Sequence, residues 1–152
     1  MSTYAIQTDG SCMPNPGEMG IGIVIYENGN IKDTISEYVG EGTNNIAEYS
    51  ALIRGLEEVK RLKRSEDRIE VFLDSLLIFK QINGEWEVKK QELNPLCERG
   101  KELIKEIGDI IIIWIGREEN GIADRMAKEA IWLKRFNEGE EMRDEISIRP
   151  KG

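Results

Sequence analysis

Four acids in this 152-residue chain carry a chemistry that none of them carries alone: Asp9, Glu48, Asp74 and Asp124. Oxygen donors without imidazole or thiolate suit a hard divalent cation, Mg2+ or Mn2+. Two such ions ~3.5–4 Å apart can hold an attacking water and a leaving oxygen on opposite sides of a phosphorus, the arrangement that phosphodiester hydrolysis needs. Composition removes the main competitors. The chain contains no histidine, which excludes Ser-His and Cys-His nucleophile pairs, imidazole acid/base catalysis and every His-containing zinc site. Its two cysteines, Cys12 and Cys97, cannot build an all-cysteine zinc site and read as reduced thiols of a cytoplasmic protein.

Each acid also has a plain structural reading. Asp9-Gly10 is a turn dipeptide. Asn45 and Glu48 have the spacing of a capping box. Asp74 precedes Ser75-Leu76-Leu77 and can cap a helix, and Asp124 with Lys128 makes an i,i+4 surface pair. Taken together these readings fail, because carboxylates ~5 Å apart repel by roughly 3 kcal/mol per pair at an effective dielectric near 20. A fold that gathers four of them needs a counter-ion.

Hydrophobic periodicity supplies the elements that would gather them. Residues 4–8 alternate as a strand ending at Asp9-Gly10, a Gly/Pro-rich loop covers 11–18, and residues 20–26 form a second strand. Asn28-Gly29 predicts a tight hairpin into a third strand over 31–39. The period then changes to three and four residues, giving a helix over 46–62. A strand at 68–73, a short helix at 75–83, a helix over 96–107, a β-branched strand at 110–115 and a last helix over 119–136 complete the chain. The order βββαβααβα predicts an α/β fold: a five-stranded mixed sheet, three strands antiparallel and the others parallel, with helices on both faces. Asp9 and Asp74 then close two parallel strands, where open α/β sheets place their sites. The domain spans 1–137. Residues 138–152 form an acidic C-terminal extension, with Glu138, Glu140, Glu141, Asp144 and Glu145 against Arg143 in its first half. The start of the chain has neither a basic n-region nor an apolar h-region, and the longest apolar run is Ile110 to Ile115, so no membrane segment is expected.

Four segments, in order and at matching spacing, resemble type I ribonuclease H, including its compact bacterial and archaeal members. They are Thr8-Asp9-Gly10-Ser11 with Asn15-Pro16-Gly17, Thr43 through Glu48, Asp74-Ser75, and Asn120 through Asp124, within residues 3–136. The resemblance implies the ribonuclease H-like fold and an endonuclease that cuts the RNA strand of RNA–DNA hybrids with two Mg2+ or Mn2+ ions, leaving 5′-phosphate and 3′-hydroxyl ends. Asp9 would bridge both ions, Glu48 and Asp74 would complete one site, and Asp124 would serve the other. Asn15, Asn44 and Asn45 match positions that meet the nucleic-acid backbone from the minor groove, a way of sensing 2′-hydroxyls. Thr43, beside a helix N-terminus, can hold a phosphate of the DNA strand. Gly10, Ser11, Cys12 and Ser75 belong to the same substrate-facing segments, and Cys12 reads equally as a small buried residue.

The sequence departs from the family in three places. Many members carry a histidine before the last helix; here the segment is Trp114 to Asn120, and Arg117 is its only base. Arginine does not act as a proton acceptor, since its pKa exceeds 12, so Arg117 is expected to bind the scissile or leaving phosphate, or else to form a surface pair with Glu118 or Glu119. Leu76 stands where a polar residue is usual. Residues 80–105 hold six bases and five acids rather than a strongly basic protrusion, leaving Trp86, Lys89 and Lys90 as candidates to contact the DNA strand, with Trp86 reading equally as a core residue. Alternative readings are the same chemistry extended to double-stranded RNA, and a hybrid-binding module with little activity. A monomer is expected. The net charge of −8, from 21 bases and 29 acids, argues against a generic nucleic-acid binder. Four of those acids belong to the metal site, however, and screening over ~8 Å makes the charge near the cleft count for more than the total.

Overall fold

A computed structural model describes residues 1–146, with side chains to residue 139. Its elements are β1 (Thr3–Met13), β2 (Gly17–Glu27), β3 (Asn30–Gly42), α1 (Asn44–Leu62), β4 (Arg68–Leu73), α2 (Leu76–Ile82), α3 (Asn94–Ile107), β5 (Ile110–Trp114) and α4 (Gly121–Ile146). Short 3-10 turns at Gln91–Leu93 and Arg117–Glu119 lead into α3 and α4. The five strands form one sheet in the order β3-β2-β1-β4-β5, antiparallel across β3-β2-β1 and parallel across β1-β4-β5. The expected mixed α/β sheet is what forms. Asn28 and Gly29 both have positive φ (50° and 85°), as the predicted Asn-Gly hairpin requires. No helix among the described residues is long and apolar enough to cross a membrane.

The first strand differs from its sequence reading in a way that matters for the site. Asp9-Gly10 is not a turn. β1 runs through it to Met13, paired antiparallel with β2 as far as Met13↔Glu18, whereas its parallel pairing with β4 stops at Thr8↔Leu73. Asp9 and Asp74 are therefore the first residues past the parallel ladder, on adjacent strands. Gly10 is required by packing and not by a turn, because a Cβ there would stand 2.2 Å from the backbone carbon of Ala47 in α1.

Alternation along the strand sends successive side chains to opposite faces. Gly10 and its partner Ile21 face α1; Asp9 and its partner Gly22 face α4. Helices cover both faces, α1 against β1 and β2 with α3 beside it, and α4 across β2. Isoleucine, leucine and valine fill the layer under α1, including Ile6, Ile23, Leu52, Leu56 and Val71, all fully buried. On the other face α4 comes very close to the sheet: a Cβ on Gly20 or Gly22 would lie 2.1 Å and 2.0 Å from the carbonyl oxygens of Ala127 and Ala123.

The last helix outlasts its predicted end at residue 136 and continues to Ile146. The acidic run holds four Glu with one Met and one Arg, all good helix formers, and Gly139 alone costs only ~1 kcal/mol. The domain boundary placed after residue 137 falls inside α4, where Glu138 accepts from Lys134 at 2.8 Å. Residues 147–152 of the expected acidic extension lie outside the described residues.

Backbone contact at Gly22 makes a direct prediction. Gly22→Ala should lower stability by about 3 kcal/mol, because the clash is with a main-chain carbonyl that cannot rotate away. Gly121→Ala, whose Cβ would meet nothing within 4 Å, should be neutral or stabilising by up to ~1 kcal/mol. Urea unfolding of both variants at neutral pH distinguishes them.

Candidate metal centre and nucleic-acid groove

Asp9, Glu48 and Asp74 each present a carboxylate oxygen within 4.8 Å of the other two. Three different devices bring them there. Asp9 and Asp74 follow from the end of the β1–β4 ladder. Glu48 follows from the Gly10 contact: the closeness of α1 lets the Gly10 amide donate to Glu48 Oε1 at 3.1 Å. The capping box read between Asn45 and Glu48 is not formed. Thr43 is the cap, its Oγ1 accepting from the Ile46 amide at 3.4 Å, which leaves Glu48 one turn further on and free to point at Asp9. Asp74 likewise does not cap α2; Ser75 does, accepting from the Ile78 amide at 3.2 Å.

Asp124 lines the same cleft, of about 250 Å3, with Ser11, Asn44, Arg117 and Lys128. It stands outside the tight group of three, yet near enough to Asp9 to help raise that carboxyl. The surface pair with Lys128 is formed, with Nζ–Oδ2 at 3.0 Å, but it sits at the mouth of this cleft rather than on a free helix face.

Asp9 and Glu48 are only 4% and 8% exposed. Burial, and then the neighbouring negative charges of Glu48 and Asp74, push the Asp9 carboxyl far above the ordinary carboxylate range. Burial raises Glu48 as well, opposed by its contact with Asp9, the Gly10 amide and the positive charge of Arg117. Among the described residues no lysine or arginine forms an ion pair with Asp9, Glu48 or Asp74. A carboxylate-only donor set, buried and without its own cation, fits a hard divalent ion.

The remaining residues named from the sequence fall into three places. Gly10, Ser11 and Asn44 line the acidic cleft. Asn15, Thr43, Asn44 and Asn45 line an adjoining hollow of about 350 Å3, where Asn15 Oδ1 accepts from the Asn44 amide at 3.1 Å. Asn45 also borders a groove of about 480 Å3 with Trp86, Lys89 and Lys90. Trp86 is 45% exposed and so is not a core residue. Two residues are placed otherwise. Cys12 is buried with Met19 and Ala47, and its thiol lies 3.2 Å and 3.3 Å from the carbonyls of Pro14 and Gly42, which matches its reading as a small buried residue. Ser75 is committed to its cap.

Two residues of the site escaped the sequence reading. Lys128 looked like half of a surface pair. Asn120 stood only as the first residue of a matching segment, yet it is fully buried and its Nδ2 donates to the Thr8 carbonyl and to Asp74 Oδ2, both at 2.9 Å. The available signal was spacing: 120, 124 and 128 recur every four residues, one face of a helix.

Known proteins align with this arrangement. The profile of the family described as reverse transcriptase-like matches residues 7–130. The bifunctional protein Rv2228c of Mycobacterium tuberculosis is 34% identical over 128 residues, covering 83% of this chain and 35% of that one. Ribonuclease HI of Halobacterium salinarum is 35% identical over 124 residues, 81% of this chain and 61% of that one. Among solved structures, LC11-RNase H1 from compost, in complex with RNA/DNA hybrid, superposes with a TM-score of 0.81 at 38% identity, covering 86% of this chain and 98% of that one. The chain belongs to the type I ribonuclease H family. It spans about a third of the length of its mycobacterial relatives.

The raised carboxyls carry a stability consequence whose sign is fixed. Between the ordinary pKa near 4 of an unfolded carboxyl and the raised folded values, the native state binds more protons than the unfolded one. The pair's contribution is therefore fullest below pH ~4 and is lost as pH rises toward neutrality. In chelator at pH 7, Asp9→Asn should be more stable than the parent by roughly 3 kcal/mol, about one like-charge contact, with the gap closing as pH falls to ~4. Mg2+ should raise the parent's Tm and leave that of the variant unchanged. Thermal melts across pH, with and without Mg2+, measure both effects.

Proposed function

We propose that this protein is a metal-dependent endoribonuclease that hydrolyses the RNA strand of RNA–DNA hybrids, leaving 5′-phosphate and 3′-hydroxyl ends. The observation that carries the reading is the cluster of Asp9, Glu48 and Asp74 within 4.8 Å, opening beside a groove lined by amides, an indole and lysines. Its hybrid-bound relative LC11-RNase H1 supports the choice of substrate. Asp9, Glu48 and Asp74 would hold one Mg2+ or Mn2+ ion, and Asp9 with Asp124 a second. When bound, such ions acidify water and neutralise charge on a phosphate.

The chain's own groups do the rest. Arg117 faces the cleft beside Glu48 and binds the phosphate at the cut as a fixed cation, never as a base. Asn15, Asn44 and Asn45 supply the short polar contacts that register 2′-hydroxyls, and Ser11 adds a hydroxyl at the cleft. Thr43, at the N-terminus of α1, receives a phosphate of the DNA strand. Trp86 stacks on that strand, with Lys89 neutralising the backbone beside it. The enzyme works as a cytoplasmic monomer on hybrids, its catalytic groups all within residues 1–137.

End-labelled hybrid, duplex RNA and duplex DNA, each incubated with Mg2+, with Mn2+ and with chelator, provide the test. Only hybrid should be cut, and neither chelator nor Asp9→Asn should leave activity above background. Cleavage surviving chelation would overturn the metal mechanism, and equal cleavage of duplex RNA would overturn the hybrid specificity. Trp86→Ala should raise KM about 5- to 150-fold, the loss of ~1–3 kcal/mol of stacking, with kcat unchanged. Arg117→Ala should lower kcat about tenfold, ~1.4 kcal/mol, with KM unchanged; steady-state kinetics on hybrid separate the two.

A further inference from the structure

Asn120 holds the position of a helix cap without acting as one. Its carbonyl accepts the first bond of α4, from the Asp124 amide at 3.1 Å, so an asparagine here would ordinarily turn its side-chain oxygen onto the amides of the first turn. It turns away instead. Nδ2 reaches the Thr8 carbonyl on β1 and Asp74 Oδ2 at the end of β4, while Oδ1 is buried with no partner among the described residues. The amide orientation is not ambiguous, since a carbonyl and a carboxylate are both acceptors and only the NH2 group can face the two together. A buried acceptor left unpaired is unfavourable, so the two bonds of Nδ2 to Thr8 and Asp74 are kept at that cost.

We infer that Asn120 is the positioning residue of the metal centre. It fixes the rotation of the Asp74 carboxylate by holding one oxygen, and it ties that carboxylate to the strand that carries Asp9 and to the helix turn that carries Asp124. Trp114 Nε1 donates to the Asp74 carbonyl at 3.1 Å and holds the backbone, so Asn120 is left to set the side chain. Without it Asp74 keeps its place in the chain but rotates freely, and the three oxygens no longer meet at one point. Partners of this kind to ligating carboxylates are worth about 10- to 100-fold in metal affinity.

This inference rests on the proposed metal binding, and Mn2+ affinity in the absence of substrate tests the two separately. Calorimetric titration of the parent, Asn120→Ala and Leu103→Ala is compared at a temperature where all are folded; Leu103 is a fully buried core residue of α3. The expected result is Mn2+ binding by the parent and Leu103→Ala alike, and binding weakened about 10- to 100-fold in Asn120→Ala. Equal affinity in all three overturns the positioning role while leaving the metal reading intact; no binding by the parent removes the metal reading and the inference with it. Should Asn120→Ala not fold, the side-chain amide of Asn120 in 15N-labelled parent decides. Its two protons should exchange slowly and shift on addition of Mg2+. An unmoved signal at a Mg2+ concentration that shifts the Gly10 amide overturns the proposal.

Discussion

Asp9, Glu48 and Asp74 are crowded together and two of them are largely removed from water, an arrangement each carboxylate resists alone. Much of the fold around them can be read as the means of enforcing it. The parallel ladder between β1 and β4 stops at Thr8↔Leu73, which puts Asp9 and Asp74 side by side. A glycine at position 10 lets α1 come into contact with β1 and deliver Glu48. On the opposite face, Gly20 and Gly22 let α4 come equally close and bring Asp124 to the rim of the same cleft. Because Asp9 faces α4 while Gly10 faces α1, a single dipeptide meets both layers. The repulsion that remains would favour a divalent ion between them.

Net charge is a poor guide to such a site. A chain carrying −8 would be expected to avoid a polyanion, yet Arg117 and Lys128 border the acids and Lys89 and Lys90 border the adjoining groove. Over a screening length of ~8 Å these neighbours decide what a phosphate encounters. With no strongly basic protrusion between α2 and α3, the groove there is lined by a few separate side chains, Trp86, Lys89 and Lys90 among them.

Local patterns carried most of the architecture. The Asn28-Gly29 hairpin, the helical period from Ile46 to Leu62 and the β-branched run at Ile110 to Ile115 each depend on near neighbours, and each element formed where its pattern lay. Where a residue's role depended on a distant segment, local reading went astray. Asp9-Gly10 has the form of a turn but lies within a strand, because its antiparallel partner sits across the sheet at Ile21 and Gly22. Cys12 had two readings from its neighbours alone, and only the packing of Met19 and Ala47 over it chose the buried one. Glu48 had the spacing of a capping box, but Thr43 took the cap and freed it.

What the sequence determined by itself was the inventory and its order: four acids at strand and helix ends, no imidazole to compete with them, and motifs spaced as in type I ribonuclease H. That much is legible because donor chemistry and secondary-structure periods are properties of residues and their immediate neighbours. Tertiary structure alone decided that three acids form the tight group while Asp124 stands at the rim with Lys128. It also decided that Asn120, 112 residues from Thr8 and 46 from Asp74, joins the strand to the carboxylate. Distances of a few ångströms between such separated residues are set by how closely helices approach the sheet, and that approach is a property of packing.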